Sequence, residues 1–275
     1  MGLLLALLLC ATARPARAQE SPYFVLYDHH MEEPGNLEIS LSPVLASPRN
    51  GPRSLATSLE LEYGTTAWWT SSLYLDGASA TAGPSAFTGF RLENRFRLLM
   101  HEHPVNPVFY VELADTNGAD RVAKEIVGFD SWRDFAEPIR EARTETEREV
   151  ETKLILSGNR RGWNVAANAI AEKNLAGAPW ELGYAVGTSR PLALAAQPFE
   201  CHLCRENFTL GLEMYGGLGE AGNLTLSQTS HYLAASVAWS LPNGITLRLS
   251  PARGLTQTSN RSFVRFGISY EGHIR

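Results

Sequence analysis

Read along its length, this chain repeatedly alternates apolar and polar residues with period two, in stretches near ten residues long. Such a stretch has one greasy face and one polar face, and it is a strand. In 54–63, Leu55, Leu59, Leu61 and Tyr63 share one parity, broken by Thr57, while Ser54, Ser58, Glu60 and Glu62 hold the other. Phe208, Leu210, Leu212 and Met214 alternate with Thr209, Gly211 and Glu213. Ile245, Leu247 and Leu249 alternate with Thr246, Arg248 and Ser250. Strands of soluble domains are commonly about 5–6 residues, whereas a tilted membrane-crossing strand needs about 9–11. The longer figure fits.

The same reading over the whole chain predicts about 12 strands, a mid-range number for a single-chain membrane barrel. They lie near 36–45, 54–63, 66–76, 86–99, 106–114, 146–157, 162–172, 179–190, 207–216, 231–241, 244–252 and 261–271. Short turns are expected at Gly64-Thr65, near Pro104, at Gly158–Arg161 and at Pro242-Asn243, all at one end. Longer connections are expected at the other end, between strands 3–4, 5–6, 9–10 and 11–12. This asymmetry is that of a membrane barrel. The connection 191–206 is the exception, a long one at the short-turn end. Aromatic residues predict two interfacial bands. Trp68, Trp69, Tyr63, Trp163, Trp239, Phe109 and Tyr270 belong to the short-turn end, and Tyr74, Phe87, Trp180, Tyr215, Tyr232 and Phe263 to the other.

The strand periodicity, the turn asymmetry and the closing run Phe263-Val264-Arg265-Phe266-Gly267-Ile268-Ser269-Tyr270 carry a resemblance to bacterial outer-membrane β-barrels, small porin-like members included. It covers roughly residues 36–271 and departs from the class where Glu271–Arg275 follow the last aromatic residue. The fold class expected is all-β: a closed, antiparallel, up-and-down transmembrane barrel. One long connection near 116–144 is expected to be partly helical, because Val122, Ile126, Phe129, Trp132, Phe135 and Ile139 recur every three to four residues.

The start reads as an export signal. Leu3–Leu9 is a short apolar run, and Ala16-Arg17-Ala18 forms an A-x-A site before Gln19, although no Lys or Arg precedes the run. Cys10 belongs to the same apolar stretch, directly continuing Leu3–Leu9 instead of following it at a distance, which argues against lipidation. The division expected is 1–18 signal peptide, 19–35 N-terminal periplasmic segment and 36–275 barrel, located in the outer membrane. With 44% apolar and 19% charged residues the chain is not disordered. A net charge of −5 without a basic block excludes nucleic acid as a partner.

If the greasy parity meets lipid, the polar parity lines a lumen. That places Arg91, Glu93, Arg95, Arg97, Glu112, Glu149, Glu151, Lys153, Arg248 and Arg265 inside, with Glu38, Glu60, Glu62, Glu172, Glu181 and Glu213. Arg91-x-Glu93-x-Arg95-x-Arg97 is the candidate anion-attracting wall. Two pictures stay open: a barrel nearly closed by paired side chains, or a wet path for small polar solutes. The lone C-x-x-C, Cys201–Cys204, is expected as a disulfide in an oxidising compartment. A periplasmic-face transition-metal site from His29, His30, His101, His103, Cys201 and Cys204 is the lesser alternative. No G-x-S-x-G, H-E-x-x-H or phosphate loop is present. The function expected is therefore non-enzymatic and cofactor-free, a monomeric channel or structural barrel contacting membrane lipid. Two alternatives stand against it. One is a soluble periplasmic barrel or sandwich binding a small apolar ligand. The other is an outer-membrane hydrolase.

Overall fold

The structure is a computed structural model. It describes residues 21–80, 85–122, 126–129, 138–195 and 201–274. The expected signal peptide therefore lies outside the described residues, as do Trp132 and Phe135.

The strands are β1 (Asn36–Ser47), β2 (Ser54–Thr66), β3 (Trp69–Ala80), β4 (Ser85–Arg97), β5 (Asn106–Asn117), β6 (Thr146–Arg160) and β7 (Trp163–Asn174). They continue with β8 (Trp180–Pro191), β9 (Phe208–Glu220), the two-residue β10 (Asn223–Leu224), β11 (His231–Ser240), β12 (Ile245–Gly254) and β13 (Ser262–His273). Each long strand pairs antiparallel with its neighbours, and β13 returns to β1 from Asn36↔His273 to Ser47↔Ser262. Without β10, which extends only β9, the ring has 12 strands. Closure leaves no long unpaired edge, the condition for a sheet to exist in hydrocarbon. No helix among the described residues is long and apolar enough to cross a membrane.

Parity sorts the side chains as the alternation predicts. Ile39, Leu41, Leu73, Leu92, Leu113, Leu154, Leu212 and Ile268 are all exposed on the outer surface. Ser40, Ser72, Glu93, Glu112, Lys153, Glu213 and Ser269 are buried inside. This excludes the soluble barrel, which would hide its leucines. We expect Leu154→Arg, on the lipid face, to cost about 2–4 kcal/mol if it sits near the bilayer midplane. Insertion assays in detergent-free vesicles read this directly, and undiminished insertion would count against a lipid-facing Leu154.

Three expectations need correction. The β3–β4 connection is not long: the two strands pair out to Ser79↔Ser85, so the Gly- and Ala-rich stretch is mostly ladder. The turn after β2 falls at Ala67-Trp68 instead of Gly64-Thr65, because pairing continues past a bulge to Thr66↔Trp69. Tyr74, Tyr215, Tyr232 and Phe263 are not in an interfacial band; each is buried in the interior, on the same parity as Ser72, Glu213, Ala234 and Arg265. The short-turn band does form, with Tyr63, Trp68, Phe109, Trp163 and Tyr270 exposed, and Phe87 and Trp180 are exposed at the other end.

The connection 118–145 folds back into the barrel where it is described. Among the described residues its helix, α1, covers Ile139–Ala142. Ile126 is buried in a cluster with Tyr215, Tyr232 and Phe263. Gly128 bridges to Gly219 of β9, and Gly128 N–H donates to Leu182 O at 3.1 Å. The periodicity of Val122, Ile126 and Ile139 marks burial: all three are 5% exposed or less.

Candidate functional site

The interior has two unlike walls. Along β2–β6 it is charged and phenolic. Arg91 donates from Nε to Asp76 Oδ2 at 2.7 Å and from Nη1 to Glu112 Oε2 at 3.1 Å, with its guanidinium 4.3 Å from the Tyr74 ring. Arg95 pairs with Glu62 and, at 3.0 Å, with Glu93. Lys153 Nζ lies 2.9 Å from Glu151 and 3.9 Å from the Tyr110 ring. The Tyr74 hydroxyl sits between Glu60 at 2.5 Å and Glu93 at 2.8 Å. Arg91 and Arg95 thus each face two carboxylates, so these two arginines of the ladder are neutralised across the strands. Arg248 lies 3.6 Å from Glu38, Arg265 donates to the Tyr215 hydroxyl at 2.6 Å, and Glu149 accepts from Asn174 at 3.1 Å. Along β7–β9 and β11 the wall is built of small residues, among them Ala166, Ala185, Gly187, Ser189, Gly211, Ala234 and Ser236.

The space between the walls is filled by the chain's own N-terminal segment. Residues 21–33, expected as a periplasmic segment, run inside the barrel: Tyr23, Val25, Leu26, Asp28 and His29 are all buried. The segment makes no strand of the ring, so its backbone must find other partners. Three of its N–H groups find one carboxylate. Glu213 accepts from Phe24 at 3.2 Å, Val25 at 3.1 Å and Leu26 at 3.0 Å. Asn168 accepts from Tyr27 N–H at 2.8 Å and donates to Tyr27 O at 2.9 Å, acting as a strand partner. The Tyr27 hydroxyl crosses to the charged wall and donates to Glu93 at 2.8 Å. The small wall is what makes room. A Cβ on Gly187 would come within 2.8 Å of Leu26 Cδ2, and one on Gly211 within 2.9 Å of Pro22 Cγ.

Charge-assisted bonds to a buried carboxylate each contribute about 1.5–3 kcal/mol. We therefore expect Glu213→Gln to leave the ring intact and loosen the segment. Hydrogen exchange at Phe24, Val25 and Leu26 should rise sharply while exchange in β1–β13 stays unchanged; unaltered protection at those three amides would refute the latch.

At the short-turn mouth the segment is fastened by histidines. His29 N–H donates to Ser157 Oγ at 2.7 Å, the ring Nδ1 lies 2.5 Å from the same oxygen, and Nε2 lies 3.2 Å from Glu102. The serine hydroxyl serves here as an anchor for the segment. His30 Nδ1 lies 2.9 Å from Asp28 Oδ1 and its Nε2 3.2 Å from Asn159. Burial alone would lift Asp28, but the His30 hydrogen bond and charge hold it below the usual carboxylate range. Burial works to lower His30, yet the bond it donates to Asp28 carries it above the ordinary histidine value. Burial, with the charge of His30, pushes His29 down.

The signs follow from linkage. The Asp28 contribution is present above the ordinary carboxylate range and is lost as pH falls through its lowered pKa. The His30 contribution is complete below the ordinary histidine range and is lost as pH rises through its raised pKa. His29 favours the neutral ring and so adds to release in acid. The segment should be held most firmly between these limits, and exchange at Tyr27–His30 should rise on both sides. A flat profile from acid to alkaline pH would contradict the pairing.

The remaining candidates are dispersed. Cys201 and Cys204 form a disulfide, so neither is a free thiolate ligand, which removes them from the metal alternative. Trp239 Nε1 donates to His202 O at 2.7 Å, tying that loop to the short-turn rim. Among the described residues no group of three or more His, Cys, Asp or Glu is arranged to hold a metal ion. Arg97 donates to His29 O at 3.5 Å and so reaches the segment. Asp76, Tyr27 and Tyr110 were missed as interior residues in the sequence reading. Parity with Ser72 and Thr70 was the signal for Asp76.

No protein-family model matches the chain, and no curated protein matches it. Solved structures do. An outer membrane channel of Pseudomonas putida F1 superposes with a TM-score of 0.56 at 10% identity, over 92% of this chain and 100% of that one. A KdgM porin in complex with disordered oligogalacturonate gives 0.50 at 8% identity, over 86% and 99%. At such identities the likeness is one of fold, and the fold is that of a bacterial outer-membrane β-barrel.

Proposed function

We propose that the protein is a narrow outer-membrane channel whose path is set by its own N-terminal segment, and that small cations are its preferred solutes. One observation carries this reading. The lumen is occupied by a segment held through polar contacts on main chain and rim, not fused into the sheet, and such contacts can be exchanged for water. A barrel that served only as a wall-to-wall structure has no need of a separable filler.

The charge balance supports the preference for cations. Along β2–β6 the carboxylates Glu60, Glu62, Asp76, Glu93, Glu112, Glu149 and Glu151 exceed the cations Arg91, Arg95, Arg97 and Lys153. A lumen with surplus negative charge and low-dielectric walls concentrates cations. Reconstitution into planar bilayers tests the reading. Small discrete conductance steps with a reversal potential favouring cations are expected under a salt gradient. Folded protein that stays silent both intact and lacking residues 21–33 would overturn the channel; steps that favour anions would overturn the selectivity.

A further inference from the structure

Charge is unevenly spread around the long-loop rim. Connections 48–53 and 255–261 contain Arg49, Arg53 and Arg261 and no Asp or Glu, and β12 ends beside them with Arg253. The strand ends between them, 44–47, 54–57 and 262–264, also lack carboxylates. The opposite rim is mixed: Arg148 pairs with Asp115 at 3.2 Å, with Glu145 and Glu147 nearby in sequence.

Register sets the arginines side by side. Arg253 is opposite Ser262, Ser262 is opposite Ser47, and Ala46 is opposite Ser54. Arg261 N–H donates to Ser47 O at 2.9 Å. The cluster thus spans three strand spacings, about 15 Å. Arg49 donates from Nε to Ser259 O at 3.0 Å and from Nη2 to Thr256 O at 2.5 Å, and Arg261 donates to Arg49 O at 3.5 Å. These neutral carbonyls fix the side chains without cancelling their charge.

Direction decides what such a cluster meets. Arg253 has the outward parity: Ala252 beside it faces in, while its cross-strand neighbour Leu233 is 41% exposed on the lipid face. Leu249, on the same face of β12, and Leu55, on β2, are exposed below it. Arg253 therefore stands where β12 leaves hydrocarbon, directly over apolar surface, with Arg49, Arg53 and Arg261 in the connections beside it. That is the arrangement for an amphiphile with an anionic head, since guanidinium pairs well with phosphate oxygens.

We propose that this sector binds the phosphorylated headgroup of an outer-leaflet glycolipid, with its acyl chains lying on Leu55, Leu233 and Leu249. The proposal rests on the outer-membrane reading, with the long-loop end facing outward. The test needs no membrane and so fails separately from that reading, which membrane flotation of native envelopes decides. Full-length protein in neutral detergent is titrated with bisphosphorylated lipid A, with the same lipid stripped of phosphate, and with inorganic phosphate. Native mass spectrometry reads the bound fraction.

Preference for the phosphorylated lipid by about tenfold is expected, since tenfold is only about 1.4 kcal/mol and each guanidinium–phosphate contact is charge-assisted. Arg253→Ala with Arg261→Ala should abolish that preference. Arg148→Ala, on the opposite rim, should leave it unchanged. Equal affinity for the stripped lipid, an unaffected double variant, or displacement by inorganic phosphate at comparable concentration would overturn the proposal, the last by assigning the arginines to a soluble anion. Should the double variant fail to fold, as read by heat-dependent gel mobility, the wild-type comparison of the two lipids decides alone.

Discussion

Deleting residues 21–33 should raise single-channel conductance several-fold while leaving the barrel folded. The ring owes its closure to the β1–β13 ladder, which starts at Asn36, beyond the deletion. What the deletion removes is Tyr23, Val25, Leu26 and Tyr27, the bulk between the charged wall and the small-residue wall. The vacated space is lined by Glu213, Asn168 and Ser157, which lose their main-chain partners and take up water. Water follows polar groups that need it, so the vacated path should be wet. The preference for cations should persist, because the carboxylates remain. Unchanged conductance in a folded deletion would mean that the constriction lies elsewhere, with the inward-folded residues Ile126–Gly128 as the remaining barrier.

Arg91→Ala should be among the most damaging single substitutions in the interior. Arg91 is 6% exposed, and its guanidinium answers two carboxylates, Asp76 and Glu112. Removing one partner of a buried ion pair typically costs about 3–5 kcal/mol, because the charge left behind is uncompensated. Here two carboxylates are left, which places the loss at the upper part of that range. Urea unfolding followed by tryptophan fluorescence in detergent measures it. Arg91→Met combined with Asp76→Asn and Glu112→Gln should recover most of the loss, since no unmatched charge then remains. An Arg91→Ala barrel as stable as the wild type would mean that water already reaches both carboxylates, and the wall would then be open rather than paired.

Strand positions were legible because the alternation has no competing interpretation at this length. Leu210, Leu212 and Met214 read outward, and Glu213 between them reads inward, without any long-range information. The lumen charges Arg91, Glu93, Arg95, Glu112, Glu151 and Lys153 were legible for the same reason. Aromatic residues were misread where position along the strand was weighed above parity: Tyr74 and Tyr215 fall near the ends of the expected strands 66–76 and 207–216, yet they sit midway along β3 and β9 and share the inward face. The extent of β3 was hidden by small residues, since Gly77, Ala78 and Ser79 have no apolar alternation to display. The filled lumen was not legible. Phe24–Leu26 meets Glu213 across a sequence separation of 187 to 189 residues, and nothing local reports it. The run Tyr23-Phe24-Val25-Leu26-Tyr27 was the available clue, for five consecutive apolar residues do not rest comfortably in water.

The meeting of the first and last strands has a consequence for how the protein is made. Asn36 and His273 touch across 237 residues, so the seam is the most entropically demanding junction in the molecule and belongs at the end of folding. Until then β1 is a ribbon edge without its second neighbour. The leader of that same ribbon is pinned to β7 through Asn168 and to β9 through Glu213, strands that lie on the far side of the growing sheet. Fastened there, the edge is carried close to where its partner will emerge, and the search that completes the cylinder becomes a short one.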